Sequence, residues 1–260
     1  MKYFVLFKMV PDTVEELELG PDGKSLDKDL VRLRLPDTDE HALEQALVLK
    51  EKHGGTVTVL GLEAPGIDEA LFTALAKGAD RAVKLAVEQG DLGTAATGRV
   101  FASFLAKELG TTGAGTLILP GSQAADDLEG ELGPYVAEAL RLPYLGVVSG
   151  IAFEDGERKV LAQKEFSGGA RGEYELPLPA VLGVQAAERP PRYVPVAKVR
   201  SVTKSSTIES ASVSALFETK MLEVDRMYRP EVTGRAQMLE GSVPEIAGKL
   251  ADLLAERGII

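Results

Sequence analysis

The stretch TLILPGSQAADDLEGELG, residues 116–133, decides the fold of this chain. Thr116–Leu119 is short, apolar and rich in β-branched residues, which is typical of a buried strand. Pro120 and Gly121 end that strand, and an acidic run then leads into an apolar spacing that predicts a helix. The spaced apolar residues are Leu132, Val136, Ala137 and Leu140. Residues 116–133 therefore predict a strand, a glycine-containing loop and a helix N-terminus in succession.

This succession has two interpretations that the sequence leaves open. A helix N-terminus after a glycine loop can bind an anion, because its first N–H groups lack partners and the helix dipole is positive there. Asp126, Asp127, Glu129 and Glu131, however, are residues that ordinarily offset the dipole, and they would repel a phosphate. Because the loop has no His, Lys or Arg, a solvated helix start explains the two aspartates better than an acid–base pair does.

Composition excludes several classes of function. The chain has 260 residues, enough for a full core, and a net charge of −11, which argues against nucleic acid and anionic membranes as partners. It has no cysteine, which excludes a disulfide, a thiolate nucleophile and a Cys-ligated metal, and it has only two histidines, which disfavours a Ser-His-Asp triad and a transition-metal site. We expect no membrane insertion and a cytoplasmic location, or the mitochondrial matrix for a processed eukaryotic protein.

Strand patterns alternate with amphipathic helix patterns, and antiparallel strands come late. The predicted strands are Tyr3–Phe7 continuing to Val10, Thr56–Leu62, Arg81–Leu85, Thr116–Leu119, Leu145–Phe153, Arg158–Phe166, Gly172–Leu176 and Ala180–Gln185, with a hairpin of Glu16–Leu19 and Leu30–Leu35. The predicted helices are Asp37 to near His53, Pro65–Ala76, Thr94–Leu109, the one after Glu131, and Ser242–Arg257. This order predicts an α/β fold with a mostly parallel, doubly wound sheet and helices on both faces.

Two helix starts carry capping signals. Asp37 followed by Glu40 is an acidic variant of the capping box, and we expect His41 in the same first turn to be exposed. Ser242 with Glu245 is the same device at the last helix. Both patterns fix where a helix begins.

The character of the chain changes after Gln185. Residues 187–195 contain three prolines and must be extended, and Lys198–Arg229 has no strong period. We therefore predict an α/β domain over residues 1–198 and a C-terminal arm over 199–260. The last helix has an apolar face of Ile246, Leu250, Leu253 and Leu254. An arm without a core of its own is expected to pack on a partner.

Several segments together resemble the beta subunit of electron transfer flavoprotein, in the same order along residues 1–200. They are Lys8–Asp12 (KMVPD), Asp39–Lys52 (DEHALEQALVLKEK), Thr73–Arg81 (TALAKGADR), Leu119–Gly133, and Leu176–Ala180 (LPLPA) followed by Pro191, Arg192 and Tyr193. The resemblance weakens in the arm and returns in the last helix. TALAKGADR and the Pro-Arg-Tyr segment are the specific motifs, whereas the glycine loop by itself is not.

The resemblance implies a heterodimer. In that family the alpha subunit carries most of the FAD site, while the beta subunit is a Rossmann-like, adenine-nucleotide-binding domain that usually holds AMP and sends its arm around alpha. FAD receives electrons from acyl-CoA dehydrogenases and related enzymes of fatty acid oxidation and passes them to a membrane quinone reductase. The beta subunit would therefore be an electron carrier subunit without catalytic residues of its own.

The resemblance also assigns residues by position. The cofactor-binding positions are Leu6, Pro36, Asp37, Thr38, Asp39, Leu62, Gly121, Ser122, Gln123, Ala124, Ala125, Asp126, Asp127, Leu128, Glu129, Gly130, Glu131 and Leu132. The segment that docks onto dehydrogenases corresponds to Arg192, Tyr193, Val194, Pro195 and Val196.

The chain departs from the family pattern at several of these positions. Residues 129–132 replace side-chain donors largely with acids, so a phosphate would rest on backbone N–H groups. Val196 stands nearest to the leucine anchor of the docking loop. Thr13 and Thr38 stand where other members place aromatic residues near the flavin.

Two other functions fit parts of the pattern. A stand-alone adenine-nucleotide-binding regulator of the stress-protein type would need the α/β domain but not the arm. An ATP-using enzyme would need a phosphate-loop lysine, and none is present in residues 120–133.

Overall fold

The structure is a computed structural model that describes residues 1–89, 92–110, 113–154, 159–213, 224–229, 234, 236 and 238–260. The chain forms two compact units, Met1–Asp225 and Arg226–Ile260. The division predicted from the sequence, a domain over 1–198 and an arm over 199–260, stays a prediction.

A nine-stranded sheet dominates the described part of the first unit. Its strands are β1 (Lys2–Phe7), β4 (Thr56–Glu63), β5 (Arg81–Glu88), β6 (Thr116–Pro120), β7 (Tyr144–Glu154), β8 (Lys159–Glu165), β9 (Arg171–Pro177), β10 (Ala180–Val184) and β11 (Glu209–Ala211). Their order is β11-β5-β4-β1-β6-β10-β7-β8-β9. The strands from β11 to β7 pair in parallel, and β7, β8 and β9 pair antiparallel. The predicted fold class is confirmed.

The central strand β1 is buried on both faces. Tyr3, Val5 and Phe7 belong to one apolar cluster, and Phe4 and Leu6 belong to another. This alternation follows from the two-residue period of a strand, and a near-continuous apolar sequence is what a strand covered on both sides requires.

Helices cover the two faces of the sheet. In the described part of the first unit the helices are α1 (Asp37–His53), α2 (Ile67–Lys77), α3 (Thr94–Leu109), α4 (Leu132–Leu140) and α5 (Val196–Ser205). The second unit contains α6 (Val243–Glu256). Leu43 of α1 and Leu71 of α2 join the cluster of Tyr3, whereas Phe101 of α3 and Val136 of α4 join that of Phe4. The bounds predicted for α3 are confirmed, and the other predicted helices are confirmed to within a few residues.

The first strand is shorter than predicted because side chains end its ladder. The backbone N–H of Lys8 donates to Asp39 at 3.0 Å, and that of Met9 donates to Gln89 at 3.0 Å. Val10 and Pro11 instead form β2 (Val10–Pro11), which pairs antiparallel with β3 (Leu33–Arg34).

The predicted hairpin of residues 16–19 with 30–35 is therefore wrong in its pairing. Leu33 and Arg34 pair with β2 and not with residues 16–19. Leu19 forms only an isolated β-bridge, with Leu26. The turn between them is held locally, since the Asp22 carboxylate accepts the N–H groups of Lys24 and Ser25.

Two predictions at the start of α1 are also wrong. Pro36, not Asp37, is the N-cap, and no side chain caps the helix there, because Asp37 turns to pair with Arg34. His41 is half-buried, since its Nδ1 accepts the backbone N–H of Ala187 at 3.2 Å. The Ser242–Glu245 capping box of α6 is confirmed.

The region predicted to lack regular structure after residue 198 contains the end of α5 and the strand β11. A three-residue strand gives too short a pattern to recognise, and β11 is fixed by parallel pairing with β5 and by an ion pair between Arg81 and Glu209 at 2.8 Å. Residues 214–223 of the predicted arm, and Arg158 at the predicted start of β8, lie outside the described residues.

Gly121 is required by a close approach between the β6–α4 loop and α1. A Cβ there would overlap Oδ1 of Asp39 and lie 2.6 Å from Oγ1 of Thr38. We expect Gly121→Ala to lower the free energy of unfolding by about 1–3 kcal/mol, as overpacking does. Urea unfolding followed by circular dichroism measures this. Gly248→Ala, whose added Cβ meets nothing within 4 Å, is the control; equal stability of both variants would contradict the prediction.

Candidate functional site

The predicted cofactor-binding residues meet at the carboxyl ends of the central strands, where open α/β sheets place ligands. The loop that runs from Gly121 to Leu132 lies against the start of α1, and the hydroxyl of Thr38 donates to the carbonyl oxygen of Gln123 at 2.7 Å. Leu6 and Leu62 are fully buried among core side chains. The structure therefore brings the α1 start and the loop together, whereas Leu6 and Leu62 lie in the hydrophobic core.

A buried lysine connects these segments. Lys8, which follows β1, is 4% exposed, and its Nζ lies 2.8 Å from Oδ1 of Asp126. Its backbone N–H donates to Oδ2 of Asp39, which is also buried. Lys8 therefore ties the central strand, α1 and the loop to one another. This role could not be predicted from the sequence of the loop, because the loop itself contains no basic residue.

Burial controls the ionisation of Asp39. It raises the pKa of the Asp39 carboxyl to about 7, although the N–H and the charge of Lys8 and the N–H of Gly121 act in the opposite direction. Asp126 adds a smaller upward contribution. The charged form of Asp39 is therefore unfavourable in the fold, because an ion loses its hydration when it is buried.

The loop caps its own helix. The two oxygens of the buried Asp127 carboxylate accept the N–H groups of Glu131 at 2.9 Å and Leu132 at 3.0 Å. These are the groups at the N-terminus of α4 on which a phosphate was expected to rest. Of the two interpretations left open by the sequence, capping by an acid is the one that the geometry shows for Asp127.

Further hydrogen bonds close the loop on itself. Ala124 and Asp127 exchange backbone hydrogen bonds at 3.1 and 3.0 Å, and the N–H of Gly130 donates to the carbonyl oxygen of Asp127. Ser122 donates to the side chain of Gln185 at 2.5 Å. Glu129, Glu131, Leu128 and Ala125 are exposed on its outer side.

Two cavities flank this arrangement. One, of about 400 Å³, is lined by Lys8 together with Asp126, Glu63 and Glu88, so acids outnumber bases on its wall. The other, of about 520 Å³, is lined by Val10, Pro11, Thr13, Arg34, Pro36, Asp37, Thr38, Gln123, Ala124, Ala125 and Leu128. Across the described ranges no group of three or more acidic or histidine side chains is placed to hold a metal ion.

The predicted docking residues divide between anchored and exposed. Arg192 is held by Glu44 and Glu51. Tyr193 and Val196 are 84% and 61% exposed, Pro195 is exposed, and Val194 is half-buried. Glu44 could not be recognised from the sequence, since nothing in its local pattern distinguishes it from the other charged residues of α1. Among the described residues, no helix is both long enough and apolar enough to cross a membrane.

The raised pKa of Asp39 has a consequence for stability. Because the folded-state pKa lies above the ordinary value of 3.8, the fold favours the protonated carboxyl, and stability falls as pH rises from about 4 to about 7. Asp39→Asn cannot ionise. We therefore expect the unfolding free energy of the variant minus that of the wild type to increase as pH rises from about 4 to about 7, and to stay constant above pH 7. Urea titrations at a series of pH values measure this, and a difference that stays constant from pH 4 to 8 would contradict it.

Comparison with known proteins gives matches over the whole chain. A family model described as the electron transfer flavoprotein domain matches residues 28–216. Electron transfer flavoprotein subunit beta of Methylophilus methylotrophus is 32% identical over 98% of this chain and 98% of its own. Subunit CarD of the caffeyl-CoA reductase–Etf complex of Acetobacterium woodii is 29% identical, and the acryloyl-CoA reductase electron transfer subunit gamma of Anaerotignum propionicum is 28% identical, each over 100% of both chains.

The family model covers more than half of the chain, and the similarity to the Methylophilus subunit extends through the C-terminal residues that a stand-alone regulator would not need. The α/β sheet, with its loop at the carboxyl ends of the strands, is consistent with both matches. This chain belongs to the electron transfer flavoprotein family, as a beta-type subunit of its electron transfer complexes.

Proposed function

We propose that this chain pairs with an alpha subunit and completes an FAD site to which alpha contributes most of the contacts. The observation that carries the proposal is the cavity of about 520 Å³, which has both Thr13 and Thr38 in its wall. These two residues are far apart in sequence, and the family resemblance places both of them beside the flavin. Leu128, in the same wall, is 73% exposed.

The wall of this cavity suits a cofactor carried by another chain. Arg34 and Asp37 pair with each other, so the wall has little net charge, and the Thr38 hydroxyl is already oriented towards Gln123. When bound, FAD supplies the redox chemistry, while the protein positions it and adjusts its surroundings. This chain would cover part of the flavin, exclude water and maintain that neutral surface, and we assign it no catalytic residue.

The proposed electron donors are acyl-CoA dehydrogenases and related enzymes, and the proposed acceptor is a quinone reductase, in a cytoplasmic or matrix compartment. Support for a docking segment comes from Tyr193 and Val196, which are three residues apart and strongly exposed although both are largely apolar. Two relatives are named for reductases of CoA-linked substrates, caffeyl-CoA and acryloyl-CoA. An enzyme that acts on a CoA thioester is therefore the partner that we expect at this segment.

The residues of the β6–α4 loop do not fit the AMP phosphate that the resemblance implies. Asp127 already accepts the N–H groups at the start of α4, and Lys8 is paired with Asp126. Glu131 adds a further negative charge where a phosphate would bind. We therefore propose that the Asp127 carboxylate takes the place of a phosphate and that the subunit assembles without AMP.

Assembly with alpha tests the proposed function. Co-expression should give a yellow complex with one copy of each subunit, and a chain that stays monomeric and colourless beside alpha would contradict the proposal. On the apolar face of α6, Leu250 is 49% exposed, whereas Ile246, Leu253 and Leu254 are half-buried, and we expect this face to contact alpha. Leu250→Glu should lower the yield of complex at least about tenfold, corresponding to about 1.4 kcal/mol. Asp252→Asn, on the same helix, is the matched control and should assemble normally.

Analysis of the released nucleotides tests the cofactor content. Mass spectrometry of the denatured complex should detect FAD and no stoichiometric AMP, for the reasons of charge and capping given above. One AMP per FAD would show that the loop rearranges around a phosphate and would contradict this prediction. The same measurement on the chain expressed without alpha addresses the alternative function, because a stand-alone regulator should retain ATP or AMP.

A further inference from the structure

One side of α1 holds the extended segment 187–192 through side chains about one helical turn apart. His41 accepts the N–H of Ala187 at 3.2 Å, and Gln45 accepts the N–H of Glu188 at 3.0 Å. Lys52 pairs with the Glu188 side chain at 2.6 Å. Residues 187–192 do not belong to a β-strand, so these side-chain contacts determine their path over the helix.

Glu44 is the centre of this contact. Its side chain is 1% exposed, and both of its oxygens accept hydrogen bonds from arginines of the segment. Oε1 lies 2.6 Å from Nε of Arg189 and 2.9 Å from Nη2 of Arg192. Oε2 lies 2.8 Å from Nε of Arg192 and 3.0 Å from its backbone N–H. One carboxylate therefore fixes both the guanidinium and the main chain of Arg192.

The charge of Glu44 is maintained by these partners. Burial by itself would raise the pKa of the carboxyl, but the hydrogen bonds from Arg192 and Arg189 outweigh burial and lower the pKa to about 2. Glu51 pairs with the same arginines at 2.6 and 2.7 Å, but it is about half exposed, so water screens its contribution. The two glutamates thus provide an inner and an outer contact to the same pair of arginines.

Arg192 is directly followed by the exposed part of the segment. Tyr193 is the next residue, and α5 begins at Val196 after Pro195. Proline limits the backbone on both sides, at 190–191 and at 195. The direction in which the Tyr193 side chain leaves the surface therefore depends on how the main chain of Arg192 is held.

We propose that Glu44 is a positioning residue for partner docking: by fixing Arg192 from beneath, it presents Tyr193 and Val196 to the CoA-linked redox enzyme in one orientation. This inference rests on the proposed function, since it takes residues 192–196 as the docking segment. Glu44 does not itself contact the partner in this scheme. It reduces the conformational freedom that docking would otherwise have to remove.

Kinetics of the complex with alpha test the positioning role. With an acyl-CoA dehydrogenase as the electron donor, Glu44→Gln should raise the KM for the dehydrogenase at least fivefold and leave kcat and the flavin absorbance spectrum unchanged. Glu51→Gln, which weakens only the outer contact, should change KM less than twofold. Glu44→Asp retains the charge and should recover part of the lost affinity. A KM for Glu44→Gln within twofold of wild type would overturn the inference.

Limited trypsin digestion of the full chain tests whether Glu44 holds the segment 187–192, and it does not depend on electron transfer. The bond after Arg189 resists trypsin because Pro190 follows, so cleavage after Arg192 reports release of the segment. Glu44→Gln should accelerate that cleavage at least fivefold relative to cleavage after Lys198, which serves as the internal control for the lower global stability that loss of a buried ion pair causes. Unchanged cleavage would show that Glu44 does not hold Arg192 and would overturn the whole inference. Accelerated cleavage with an unchanged KM would overturn only the role of Glu44 in docking. A wild-type complex that acyl-CoA dehydrogenases fail to reduce would refute the proposed function as well.

Discussion

Lys8 directly follows the central strand β1, and its buried positive charge must be compensated there. An isolated buried ammonium group is strongly destabilising, whereas one that is paired and hydrogen-bonded is tolerated. The compensation comes from Asp126 through the side chain, and Asp39 engages the backbone of the same residue. The positions of the β6–α4 loop and of the α1 start both follow from this requirement, and so does the shape of the cavities between them.

Much of the fold could be predicted because it is encoded locally. The apolar runs of β1 and β10 and the amphipathic period of α3 are determined by burial on one or both faces, which is visible in a short window of sequence. The errors occur where a distant residue overrides a local preference. Arg34 diverts Asp37 from its capping role, and the short strand β11 depends on β5 for its structure.

The site illustrates the same limit. The loop residues could be assigned by resemblance, but the residues that control the ionisation and position of the site's side chains are distant in sequence. Asp39 and Lys8 are separated by 31 positions, and Arg192 and Glu44 are separated by 148. The sequence pattern shows which residues are acidic, but it does not show which of their carboxylates have hydrogen-bond or ion-pair partners. Asp127 is the clear case: the sequence identifies it only as one of several acids at a helix start, whereas the structure shows that it is buried and caps the helix.

The two edges of the sheet bear on the fate of the chain before it meets its partner. An open strand edge can pair with another copy and lead to aggregation. On one side β11 occupies the edge of β5, and its Glu209 carries a charge there; on the other side β9 exposes Arg171, Glu173 and Glu175. These charges disfavour edge-to-edge pairing between copies of a newly synthesised subunit. Its exposed apolar side chains therefore remain available for a specific partner subunit.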